Sequence, residues 1–243
     1  SLGYHPQAVR EYLMTILNSN YEEWRLANPH TPSTEFNVTM EKMGKSGALF
    51  DLDKLNDIAK DVMAEMSAAD IYEFLLDWAK DHKPEAYQEL AQERQMVEGL
   101  LDIGRSGDKP RKDLIYAKQI FEFIAYCFDD HYVREDDYSE HLSAEDIRTI
   151  LEAYKAHYIF ADDDEVWFGK MKDMATGMGY AAKPKDYKKN PDQYKGHIGD
   201  VMGVIRLAIV GRTNSPDLWS IQQVMGYDRV MKRIDSALAA LEA

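Results

Sequence analysis

Apolar residues recur at three- and four-residue spacing from one end of the chain to the other, the period of helices rather than strands. After Pro6, the positions Ala8, Val9, Tyr12, Leu13, Ile16 and Leu17 predict a first helix, and a short second one follows around 21–27. Residues 29–38, punctuated by Pro and Thr, read as a loop. Asp51 is placed to cap a helix whose apolar face is Leu52, Leu55, Ile58, Ala59 and Val62. Ser67 caps another, with Ile71, Phe74, Leu75, Trp78 and Ala79 on one face, ending before Pro84. Helices are further expected over 84–101, over a long aromatic stretch at 112–130, and after a Ser143 cap through Tyr158. The C-terminal part predicts a helix ended by Gly211, a new one from Pro216 stopped by Gly226, and a last one from about residue 228.

With 243 residues the chain can bury one large core or two to three small ones. No apolar run approaches the roughly 20 residues that span a bilayer, so no membrane partner is expected. The opening Ser1-Leu-Gly-Tyr-His-Pro6 has neither an initiator Met nor a leader's basic stretch, as expected of a piece of a longer protein. A single cysteine, Cys127, lies in an aromatic helical run and fits the reducing cytoplasm. The net charge of −14 argues against a nucleic-acid partner, DNA included, but it is unevenly spread. Residues 166–243 hold 12 Lys+Arg against 8 Asp+Glu, a balance of +4. Within them Lys183, Lys185, Lys188 and Lys189 are interleaved with Tyr180, Tyr187 and Tyr194, a pattern suited to RNA phosphates and unstacked bases.

Several familiar chemistries are excluded. Gly99 to Ser106 mimics a phosphate-binding loop, but Arg105 stands where Lys is required and the preceding segment is helical. None of the seven histidines has a Glu three residues before it, and the acidic patches at 129–137 and 162–165 lack the central Gly and terminal Glu of a Ca²⁺ loop. No metal ligand and no catalytic residue is assigned. The most informative residue is Arg206, a lone cation in the apolar run Val201, Met202, Ile205, Leu207, Ile209, Val210. It must either pair with an acid or point outward from the rim.

The run Arg206-x-Ala208-Ile209-Val210-Gly211 before Ser215-Pro216-x-Leu218 resembles the last domain of bacterial glutamyl-tRNA synthetases. Upstream, Ser46, Ala48, Phe50, Asp51, Lys54 and Leu55 resemble the segment that follows the catalytic loop in that family. Just beyond it the chain reads Asn56-Asp-Ile-Ala-Lys-Asp-Val62, where many relatives carry a Trp-Asn run. Pro110 to Leu114 and Tyr187 to Val201 extend the resemblance, the latter to clostridial-type members. Lys42-Met-Gly-Lys-Ser46 and Gly196-His-Ile-Gly199 also echo the ATP-binding motifs of class I synthetases, but in reversed order and without a strand-helix alternation, so that match is rejected.

The resemblance implies an all-α fold of helical bundle domains in series: a stem-contact region at 1–82 and two anticodon-binding domains at 83–161 and 162–243. It implies that Arg206, Ser215, Pro216 and Leu218 read the anticodon, and that Ser46, Asp51 and Lys54 touch the inner corner of the tRNA. The implied partner is a tRNA, for glutamate or also for glutamine, bound by a monomer. ATP and Mg²⁺ would belong to the missing catalytic domain, so the chain itself carries no cofactor and would not charge tRNA alone. The competing reading is an acidic, all-helical protein-interaction module that does not bind RNA.

Overall fold

Capping residues set many of the element boundaries in the computed structural model, which describes residues 2–43, 49–107 and 109–242. Ser46 lies outside the described residues. Thirteen α-helices are found among the described residues, with short 3₁₀ turns between some of them and no extended strand beyond three isolated bridges. The all-α expectation holds. Contacts group the chain into two compact units, 1–124 and 125–243. The stretch 83–161, expected as one domain, is therefore shared between them.

Unit 1 contains α1 (Pro6–Leu17), α2 (Tyr21–Ala27), α3 (Leu52–Glu65), α4 (Ala68–His82), α5 (Pro84–Gln92), α6 (Arg94–Asp102) and α7 (Ala117–Ile124). Asp51 and Ser67 cap α3 and α4 as the sequence predicts, each side chain accepting from the third backbone N–H beyond it. α1 packs on α3 around Ala8, Ala59 and Val62, and α4 packs on α5, α6 and α7 through Ile71, Leu75 and Ala79. Two expected helices are corrected. The one predicted over 84–101 is two helices broken at Glu93, and the aromatic helix predicted over 112–130 is α-helical only from Ala117 to Ile124, with 3₁₀ turns beyond it. Its start is set by Gln119, whose amide oxygen accepts from the Ile115 N–H and whose amide nitrogen donates to the Asp113 carbonyl. Arg105 turns inward, donating to the carbonyls of Met63 and Met66.

Unit 2 contains α8 (Ala144–His157), α9 (Asp164–Gly177), α10 (Pro184–Lys189), α11 (Ile198–Val210), α12 (Leu218–Met225) and α13 (Tyr227–Ala240). The central element is α11, buried at Ile198, Val201, Val204, Ile205 and every position from Leu207 to Val210. A helix apolar on nearly all sides must be surrounded, and α8, α9 and α13 pack around it. Ser143 and Asp146 form a capping box at α8, and His197 with Asp200 form one at α11. Cys127 is fully buried, as its apolar neighbours predict. The helix expected from Pro216 starts two residues later, at Leu218, because the Asp217 carboxylate caps it through the Ser220 N–H.

Candidate tRNA-contact sites

The left-handed Gly211 (φ +79°) ends α11 and turns the chain into the polar segment 212–217. This turn is gripped from two sides. On one, Arg206 reaches back across it: Nη1 donates to the Ser215 hydroxyl, to the Pro216 carbonyl at 3.0 Å and to the Ser215 carbonyl at 3.4 Å. On the other, the acidic segment 133–136 straps it down. The Gly211 carbonyl accepts from the backbone N–H of Glu135 (2.8 Å) and of Asp136 (3.2 Å). Arg212 pairs with Glu135 at 2.6 Å, and Asp136 accepts from both the backbone N–H and the hydroxyl of Thr213. Those two bonds, the backbone one first, hold the Asp136 carboxyl below its usual range.

Of the two outcomes open for Arg206, the structure gives neither an ion pair with a carboxylate among the described residues nor a free side chain. It neutralises the turn's acceptors and brings Arg206, Ser215 and Pro216 together, while Leu218 faces the core at 2% exposure. Burial pushes the Arg206 guanidinium down from the ordinary arginine value, opposed by the charge of Asp217, and it stays protonated at physiological pH. The strap from 133–136 is a partner that sequence reasoning missed. Its residues lie 77 positions from the turn, and they read from sequence as a solvated acidic patch.

In unit 1, Asp51 and Lys54 meet at the start of α3. The Asp51 carboxylate accepts from the Lys54 N–H at 3.0 Å, and the Tyr12 hydroxyl accepts from the Asp51 N–H at 2.6 Å. The Lys54 ammonium pairs with Glu22 at 2.5 Å. Phe50 stands 64% exposed, its ring edge-on to Tyr12.

Residues 188–238, spanning the end of α10 to most of α13, match the model of a family described as an anticodon binding domain. The class that this match defines for the segment is an anticodon-binding domain, here all-helical. Over 237 residues the chain is 57% identical to the glutamate–tRNA ligase of Acetivibrio thermocellus, covering 98% of this chain and 43% of that one. It is 41% identical over 241 residues to the glutamate–tRNA ligase of Clostridium perfringens, covering 98% and 44%. The crystal structure of a glutamate tRNA ligase from Elizabethkingia meningosepticum, in complex with its amino acid, shares the fold with a TM-score of 0.61 at 17% identity, over 98% of this chain and 42% of that one. The chain belongs to the bacterial glutamate–tRNA ligases as a C-terminal segment, and it spans less than half the length of the curated relatives it matches.

Proposed function

We propose that this chain is the tRNA-reading part of a glutamate–tRNA ligase, holding the anticodon loop of the glutamate tRNA in unit 2 and the body of the tRNA at the start of α3. The observation that carries the reading is Arg206, a half-buried cation inside the matched anticodon-binding segment that makes no ion pair among the described residues, although the charge of Asp217 acts on it. Anticodon bases can be hydrogen-bonded and stacked once they are splayed from the loop. Arg206 presents a planar cation for one such base, and the Ser215-Pro216 turn that it fixes forms the wall beside it. At the other site, Lys54 faces phosphate with its charge already shared with Glu22, so its part is to position rather than to grip.

We assign activation of glutamate with ATP and Mg²⁺ to the part of the ligase that this segment does not span, as the chain covers less than half of its curated relatives. The chain acts as a monomer in the cytoplasm, where a lone buried thiol is at home. No helix among the described residues is long and apolar enough to cross a membrane.

The test is a titration of the chain, wild type and Arg206→Ala, with glutamate tRNA and with a copy altered only in its anticodon. A base–Arg contact worth about 1–3 kcal/mol makes the variant bind about 5- to 150-fold more weakly and lowers its preference for the native anticodon. Unchanged affinity and preference would reduce Arg206 to a brace for the turn. Equal preference for a glutamine anticodon would widen the substrate to both tRNAs.

A further inference from the structure

Between α9 and α11 the chain makes an excursion that is closed at its base. The Ala181 N–H donates to the Gly196 carbonyl (2.9 Å), Ile198 N–H to the Ala181 carbonyl (2.8 Å), and Lys195 N–H to the Gly179 carbonyl (3.0 Å). The excursion carries α10, and Tyr187 fixes that helix to the start of α11 by an edge-on contact with His197, ring centroids 5.8 Å apart. Residues 183–195 hold five lysines against Asp186 and Asp192. Lys185, Lys188 and Lys189 stand at i, i+3 and i+4, one face of α10, and Lys183 directly precedes it; all four are exposed.

Their clustering sets them apart: among the described residues Lys42, Lys80, Lys109 and Lys172 also lack an ion pair, but they are scattered, whereas these four fall within seven residues. Nine lysines elsewhere lie within 4.0 Å of a carboxylate, as expected of a chain with 43 acidic residues. Among the described residues no ion pair is found for Lys183, Lys185, Lys188 or Lys189. Like charges three and four apart weaken a helix. Here a short helix bears three of them on one face in an acidic protein with abundant carboxylates. That arrangement suits an external polyanion, not internal stability.

We infer that Lys183, Lys185, Lys188 and Lys189 form a second contact platform, which neutralises backbone phosphates of the RNA strand adjoining the base held at Arg206. The inference rests on the tRNA reading above. The spacing is short enough for one strand to reach both: His197, the N-cap of α11, and Arg206 are nine residues apart, about 14 Å along the axis at 1.5 Å per residue. The platform supplies sequence-independent attachment, and the Arg206 turn supplies discrimination.

The experiment measures the tRNA dissociation constant of the 243-residue chain across a salt series. It compares the wild type, a Lys183→Gln/Lys185→Gln/Lys188→Gln/Lys189→Gln variant, and the corresponding Lys→Arg variant. Losing four phosphate contacts on a single strand flattens the log–log salt slope by about 2 to 3, whereas the ratio between native and altered anticodons stays as in the wild type. The Arg variant, with circular dichroism to confirm folding, restores the slope. A Gln variant with the wild-type slope overturns the platform while leaving the Arg206 reading intact. So does an equal loss per lysine from Lys80→Gln with Lys109→Gln in the other unit, which would show that only net charge matters. Absence of wild-type binding even at low salt overturns both.

Discussion

Units 1 and 2 each fix a turn with an arginine, and the two arginines differ in what stands against their charge. In unit 1, Arg25 gathers the 28–31 turn through the carbonyls of Asn28 (2.9 Å) and Thr31 (2.6 Å), while Nε and Nη2 meet both oxygens of the buried Glu11. Tyr21 donates its hydroxyl to the same carboxylate, and the Arg25 guanidinium lies over the Trp24 ring at 5.0 Å. Arg206 in unit 2 makes the same kind of turn contact through Nη1 alone, with no ion pair to a carboxylate among the described residues. One cation is closed off by a buried carboxylate of its own protein. The other is held by turn acceptors, with only the more distant charge of Asp217 acting on it.

The sharpest way to break this contrast is to remove the acid. Glu11→Ala strands a partly buried guanidinium and the Tyr21 hydroxyl, and is expected to cost about 3 kcal/mol, read from the urea midpoint followed by circular dichroism. Arg206→Ala, which removes only turn hydrogen bonds, is expected to cost about 1 kcal/mol in the same assay. Equal losses would mean that both arginines are structural.

Next in size is Gly211→Ala. The residue is left-handed, and a Cβ there would collide with the Val133 carbonyl oxygen, so about 2–3 kcal/mol of unit 2 stability should go, measured as a fall in Tm. An unchanged Tm would show that the 133–136 strap does not press on the turn.

Alkaline titration separates the units in another way. Burial pushes the hydroxyls of Tyr158 and Tyr180 up to about 12, and both belong to unit 2. A raised pKa favours the neutral form in the fold. The stability it contributes is complete below the ordinary tyrosine value near 10 and lost as pH climbs towards 12. Circular dichroism with ultraviolet tyrosine titration should show unit 2 failing across that window, and failure well below pH 10 would contradict it. The smallest effect is expected from Asp51→Ala, about 1 kcal/mol for the lost α3 cap, seen in unit 1 alone by thermal melting.

What could be read beforehand followed the range over which each signal acts. Ser67, Ser143, Asp51 and Gly211 act on backbone groups within a few residues; the first three start helices and Gly211 ends one, where expected. The break at Glu93 was invisible because Leu90, Met96 and Val97 keep their apolar spacing across it. The aromatic stretch 112–130 looked like one helix because its apolar period runs on through the 3₁₀ turn at Ala125–Cys127. At the site, the spacing of Arg206, Ser215 and Pro216 is local enough to bring them together. The strap from Glu135 and Asp136 depends on tertiary contacts across 77 residues, which no pattern along the chain announces.

That strap has a kinetic consequence. With the Gly211 carbonyl shared by two N–H groups, Thr213 tied to Asp136 and Ser215 held by Arg206, the turn is already set before anything docks against it. Ordering cost on association is then small, and encounter proceeds at the rate that charge and diffusion allow. Loosening the strap, for instance at Asp136, would leave a wall that must be rebuilt with each encounter, whereas losing a contact on the finished wall would show chiefly as a shorter residence time.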